Sequence, residues 1–152
     1  MPDDGLVAYD YAVLRAVPHP HLGAAVRSTP VGVVVHARTA GFLELAVADD
    51  EGWLAVRVPG VDTRLLARYL RACRAVCGGE AEGAGGWTHP VALAPPSERF
   101  HWITAPRSDV LQCAPVHGGL GEDPGAELVR LFGLYVVGAT PAEAESRSTT
   151  TV

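Results

Sequence analysis

The residues able to do chemistry in this chain concentrate between Ser97 and Pro124, in the stretch SERFHWITAPRSDVLQCAPVHGGLGEDP. Arg99, His101, Arg107, His117, Glu122 and Asp123 all fall there, punctuated by Pro106, Pro115 and Pro124. Two guanidinium groups and two imidazoles suit a phosphate-bearing or carboxylated ligand. Arginine offers a forked donor to such an anion, and histidine can move protons near neutral pH. The set stops short of an enzyme signature. His101 is followed by Trp-Ile-Thr and His117 by Gly-Gly-Leu, so neither opens the H-x-S/T motif of the two-histidine phosphoesterases, and His19 and His21 do not either. No G-x-S-x-G elbow surrounds Ser97 or Ser108, and a serine nucleophile also needs a base and an oxyanion hole. Gly118, Gly119 and Gly121 precede a helix start, where backbone amides can cradle an anion. Glu122 and Asp123 bring negative charge to that mouth and no G-K-S/T follows, which favours a plain turn. The structural alternative pairs Arg99 or Arg107 with Glu98, Asp109 or Asp123 and bonds the histidines to loop carbonyls.

The elements that position these groups follow from periodicity and punctuation. LVAYDYAVLRAV (6–17), VGVVVHA (31–37), FLELAV (42–47) and WLAVRV (53–58) are predicted strands, joined by short links that favour an antiparallel meander. TRLLARYLRACRAVC (63–77) is the clearest helix: Asp62 is a good N-cap, and Leu65, Leu66, Tyr69, Leu70, Cys73, Val76 and Cys77 recur at helical spacing until Gly78-Gly79. Arg64, Arg68, Arg71 and Arg74 line its other side, a solvated face by default and an acidic-partner or RNA surface by alternative. EAEGAGGWTHP (80–90) is expected to be an exposed loop, and FHWIT (100–104) and VLQCA (110–114) two further strands. Asp123-Pro124 caps a second helix over roughly 124–137. The fold class is therefore α+β: a mainly antiparallel sheet, with a four-strand meander plus one or two more strands, packed with two main helices. Residues 1–138 form one domain and 139–152 a disordered polar tail.

Alternation adds a functional reading of the sheet. Tyr9, Tyr11, Val13 and Arg15 share one face of the first strand, Phe42 and Glu44 of the third, and Trp53 and Arg57 of the fourth. If these faces coincide, aromatics mix with Arg15, Glu44 and Arg57. The result is either cross-strand ion pairs beneath a loop or helix, or a binding face for an anionic or peptide ligand.

Composition narrows the classes. The chain has 152 residues, 48% hydrophobic and 19% charged, which is ordinary globular make-up for one domain. No apolar run is long enough for a membrane span, and the acidic start MPDDGLVAYDY lacks the order of a signal peptide, so a cytoplasmic location is expected. A net charge of -5 argues against a dedicated nucleic-acid binder. All 12 basic residues are arginine, which fits a GC-rich genome. Cys73, Cys77 and Cys113 are an odd count and suggest free thiols. A zinc site would need ligands from distant segments with no local ligand pair, so neither a metal nor a cofactor is expected.

The pattern Y-D-Y-A-V-L-R-A-V-P, then V-G-V-V-V, then R-F-H-W-I-T-A-P-R-S followed by P-V-H-G-G-L and E-D-P resembles a bacterial family, domain of unknown function 3037. The resemblance runs from about Val7 to Tyr135 and is most specific from Arg99 to Pro124. Position by position, the family's polar signature falls on Arg15, Arg99, His101, Arg107, Ser108, Gln112, His117 and Asp123. The chain departs from the family before the V-G-V strand: members carry a Glu and an Asn there, whereas this chain has Ala24 to Pro30, with Pro30 in place of the Asn. The family brings no activity, but its members are sometimes encoded beside kinase-like proteins, which implies a partner role. The expectation is a non-catalytic accessory module that binds a protein partner, such as a kinase-like or biosynthetic enzyme, or forms a homo-oligomer, through those eight residues. The alternative is a small enzyme or binder of an anionic small molecule.

Overall fold

The computed structural model describes residues 5–18, 28–80, 89–107 and 109–138. Three strands, β1 (Val7–Ala16), β2 (Thr29–Ala37) and β3 (Phe42–Val47), form an antiparallel meander. A single 3-10 turn, Arg38–Ala40, links β2 to β3, and Gly41 closes it at φ 65°, a left-handed geometry that favours glycine. Every residue of β2 is buried, because the sheet is covered on both sides.

The sheet continues at the other edge of β1, where β4 (Leu111–Cys113) and β5 (His117–Gly121) both pair antiparallel with it. Leu14 meets Cys113 and Tyr11 meets His117, so residues 114–116 of the outer strand face only 12–13 of β1. The extra residue is a bulge, and Pro115 sits in it, where a missing N–H costs the ladder nothing. The spatial order is β3-β2-β1, with β4 and β5 following one another along the outer edge.

Side-chain alternation divides the core in two. Ala12, Leu14, Val34, Leu43 and Leu45 pack under α1 (Glu51–Arg57), α2 (Thr63–Cys77) and α3 (Pro96–Thr104). Tyr9, Val13, Val33, Val35 and Ala37 pack on the opposite face under α4 (Pro124–Phe132) and a π-helical turn, Gly133–Val137. In α2, Leu66, Leu70, Cys73 and Cys77 recur at three- and four-residue steps and point inward. Asp62 caps that helix by accepting from the N–H groups of Arg64 and Leu65, and Gly79 at φ 75° follows its end. Asp123 caps α4 by accepting from Gly125, with Pro124 in the first turn.

The α+β class and the antiparallel sheet stand as the sequence implies, while three segments differ in detail. Residues 53–58 lie in and just after α1 rather than in a fourth meander strand. Asp50 accepts from the Trp53 N–H at 2.8 Å, and Leu54 and Val58, four apart, are both fully buried, so helical spacing overrides the apparent alternation. Residues 100–104 are helical too. Pro96 and Glu98 in the first turn start α3 at Pro96, and only Ile103 of the FHWIT stretch is fully buried. Conversely, the glycine run at 118–121 is strand β5 rather than a turn. The meander thus has three strands, and four α-helices cover the sheet instead of two. The 139–152 tail and most of the 80–90 loop lie outside the described residues. Among the described residues, no helix is long and apolar enough to cross a membrane.

Candidate functional site

Of the eight residues singled out by sequence, the seven that the structure describes do not meet at one point. Arg99, His101 and Arg107 belong to α3 or its end, on one side of the sheet. His117 pairs with Tyr11 on β5 and turns to the other side, towards α4. Asp123 is occupied as the α4 cap. Arg15 lies at the far end of β1 and donates to Ser28 Oγ at 3.2 Å; burial pushes its pKa down. Gln112, opposite Arg15 on β4, donates to the Asp109 carbonyl at 3.2 Å. Ser108 lies outside the described residues, as does most of the stretch before Pro30, which itself is a buried β2 residue opposite Arg15.

The two central arginines fasten α3 in place. Arg107 donates from Nη1 to the Ile103 carbonyl and from Nη2 to the Trp102 carbonyl, both at 2.8 Å. These carbonyls belong to the last turn of the helix and have no partner within it. The Arg107 guanidinium also stacks 4.8 Å from the Trp102 ring centroid. Arg99 donates from Nε to the Cys77 carbonyl at the end of α2, at 3.1 Å, and from Nη1 to the Ala94 carbonyl, at 2.6 Å. One side chain therefore ties the end of α2 to the start of α3. Both guanidinium groups are satisfied by backbone oxygens rather than by the carboxylates of Glu98, Asp109 or Asp123, and His101 and His117 stay exposed.

A different cluster forms on the α4 side. Tyr11 is its centre, with ring centroids at 6.1 Å from Tyr9, 5.7 Å from His117 and 6.2 Å from Tyr135. The Tyr11 and Tyr135 hydroxyls approach to 3.5 Å. Tyr135 comes from the π-helical turn, whose closing bond runs from the Gly138 N–H to the Gly133 carbonyl at 2.8 Å. Single π turns within helices recur at functional sites. Beside them, Tyr9 donates to Glu127 Oε1 at 2.7 Å and Arg130 donates to the same oxygen at 2.9 Å.

The glycines of β5 make this arrangement fit. A Cβ on Gly119 would lie 2.5 Å from Tyr9 Cζ, and one on Gly121 would lie 2.6 Å from Glu127 Cγ. Only glycine lets both side chains lie against the strand. Electrostatics keep Tyr9, Tyr11 and Glu127 in simple protonation states. Burial, then the Tyr135 hydroxyl, push Tyr11 up to about 12, and burial followed by the Glu127 bond raises Tyr9. The bonds from Arg130 and Tyr9 lower Glu127 and hold it as a carboxylate. Tyr9 and Tyr11 thus stay neutral hydrogen-bonding groups at physiological pH and offer no phenolate base.

The cysteines are not reactive centres. Burial pushes Cys73 up to about 11, Cys77 to about 12 and Cys113 to about 11, so all three stay protonated thiols. No three His, Cys, Asp or Glu side chains gather for a metal among the described residues. The α2 arginines face solvent, save Arg71, which donates to the Asp49 carbonyl at 3.3 Å.

Reasoning from sequence passed over Tyr135, Glu127 and Arg130 as site residues, and Tyr9 and Tyr11 entered only as a sheet face. The available signal was the glycine run, since glycine inside a strand marks a close approach. His36 was also missed: it is buried on β2, with its ring 4.9 Å from Phe100.

Fold and site together define an α+β domain, two-sided about one antiparallel sheet, with an aromatic hydrogen-bonding surface on the β5 and α4 side. Residues 11–136 match the family described as Protein of unknown function (DUF3037), and the chain belongs to that family. No curated protein and no solved structure matches it.

Proposed function

We propose that this protein is a cytoplasmic accessory module of bacterial origin that binds a protein partner without catalysing a reaction, and that the Tyr11–Tyr135–His117 surface is its contact. The carrying observation is that cluster itself: three further rings within 6.2 Å of Tyr11, exposed His117 at its rim, and a Tyr11 phenol that remains neutral. Tyrosine and arginine dominate the energetic centres of protein interfaces, because they combine large apolar area with a hydrogen-bonding tip. Arg130, with its side chain 57% exposed, adds a cation to the rim, and Leu134 and Val137 on the same π turn are exposed apolar neighbours. Three free thiols fit a reducing compartment. Against an arginine clamp for an anion stands the engagement of Arg99 and Arg107 with backbone carbonyls.

A photo-crosslinking residue in place of His117 tests this reading in the native host. The expected result is one discrete adduct of defined mass that is absent when the same residue replaces Arg64 on the outer face of α2. The adduct should be a different protein or a second copy of this chain. Purified, it should rebind the wild type and bind the Tyr135→Ser/Arg130→Glu variant at least about ten-fold more weakly, the loss of one good contact. An unbound monomer with no position-specific adduct would overturn the proposal.

A further inference from the structure

We infer that the groove between the 3-10 turn Pro90–Leu93 and the outer face of α3 binds a small apolar molecule carrying a primary ammonium group. The groove has a volume of about 490 Å³ and a mostly apolar lining of Val91, Ala94, Trp102 and Ala105, to which Ser97, Glu98 and His101 add the polar groups. That volume falls in the range of small-molecule sites, which combine apolar walls with a few oriented polar groups.

Glu98 supplies the orientation. It is the third residue of α3, the position from which a glutamate normally turns back to bond the N-cap N–H. The N-cap here is Pro95, which has no N–H. The carboxylate therefore lacks its usual local partner, and it makes no ion pair or hydrogen bond among the described residues. His101, one turn on, lines the same groove, and a neutral imidazole offers one nitrogen that accepts a hydrogen bond. An ammonium with three donors matches two such acceptors, and the apolar body of the ligand would cover Val91, Ala94 and Trp102. The neighbouring cation, Arg107, is held on backbone carbonyls and the Trp102 ring and does not compete for the carboxylate. This groove lies across the sheet from the tyrosine surface, so the two sites succeed or fail separately.

Phenethylamine and its carboxylate counterpart, hydrocinnamate, are the probes. Nitrogen-correlated NMR spectra follow the indole N–H of Trp102, assigned with a Trp102→Phe variant, together with the amides of Ala94 and Ala105. Phenethylamine should shift all three saturably and bind about five-fold more tightly than hydrocinnamate, the scale of one exposed ion pair. Glu98→Gln should remove that preference, and Glu98→Lys should invert it, with the spectra reporting that each variant is folded. Shifts from neither probe, equal binding of both by the wild type, or a preference that survives Glu98→Gln would overturn the inference.

Discussion

Tyr9 lies over the backbone of Gly119, its partner across the β1–β5 ladder, so closely that a methyl group there would come within 2.5 Å of the ring. Tyr9 is itself only 5% exposed and cannot swing aside without leaving the core. Gly119→Ala should therefore destabilise the protein by about 1–3 kcal/mol, the usual cost of overpacking. Urea denaturation measures it. In a Tyr9→Ala background the same substitution should cost markedly less, because contacting sites couple. Simple additivity of the two would show that the ring is not what the glycine accommodates.

The arginines and histidines of the 99–117 stretch should part company under mutation. Arg107→Ala strips two helix-end carbonyls of charged donors and should cost about 1.5–3 kcal/mol. Arg107→Lys should recover less than half of that, since an ammonium cannot reproduce the fork. Arg99→Ala should behave similarly. His101→Ala and His117→Ala, both exposed, should stay within about 0.5 kcal/mol of wild type. Thermal denaturation of the four alanine variants and Arg107→Lys checks the contrast.

Stability should fall in mild acid, and His36 should be a cause. Burial lowers its pKa, and this outweighs the opposing pull of Asp10 across the ladder. The folded state therefore holds His36 neutral where the unfolded chain, titrating near about 6.5, takes up a proton. More protons on the unfolded side mean that stability rises with pH through this window. It is lost as pH drops below about 6.5 towards the lower folded value. Urea midpoints at several pH values should show that slope in the wild type and a shallower one in His36→Gln.

Alkylation at neutral pH should leave Cys73 and Cys77 almost unmodified until denaturant is added, as both are buried with thiols raised to about 11 and 12. Cys113 is only partly buried and should be the first to label. Peptide mass spectrometry of iodoacetamide-treated protein reads the order. Rapid native labelling of Cys77 would contradict its placement at the end of α2.

The sequence was most legible where local signals and tertiary packing agree. β3 and α2 have the limits that alternation, Asp62 and Gly78 imply, and Asp123-Pro124 starts α4. It was misleading where they conflict. FHWIT is rich in β-favouring side chains, yet Pro96 and Glu98 begin a helix that Arg99 and Arg107 then hold at both ends. WLAVRV alternates over its length, but Asp50 and the Leu54–Val58 pair outweigh the alternation. The tyrosine cluster was hidden because its members come from β1, β5, α4 and the π turn, and only the pairing of residues distant in the chain brings them together.

The position of β1 also sets the order in which the molecule can be completed. Its inner edge pairs with β2, the next strand in the chain, but its outer edge must wait for β4 and β5, with Val7 finally meeting Gly121. The face bearing Tyr9, Val13, Val33 and Val35 waits longer still, for α4. Such distant pairings slow folding. Throughout synthesis, until residue 121 has emerged, the nascent chain carries an open strand edge beside a bare apolar face, the combination that recruits other chains. A fragment ending before Leu111 would keep both permanently, so β4, β5 and α4 protect β1.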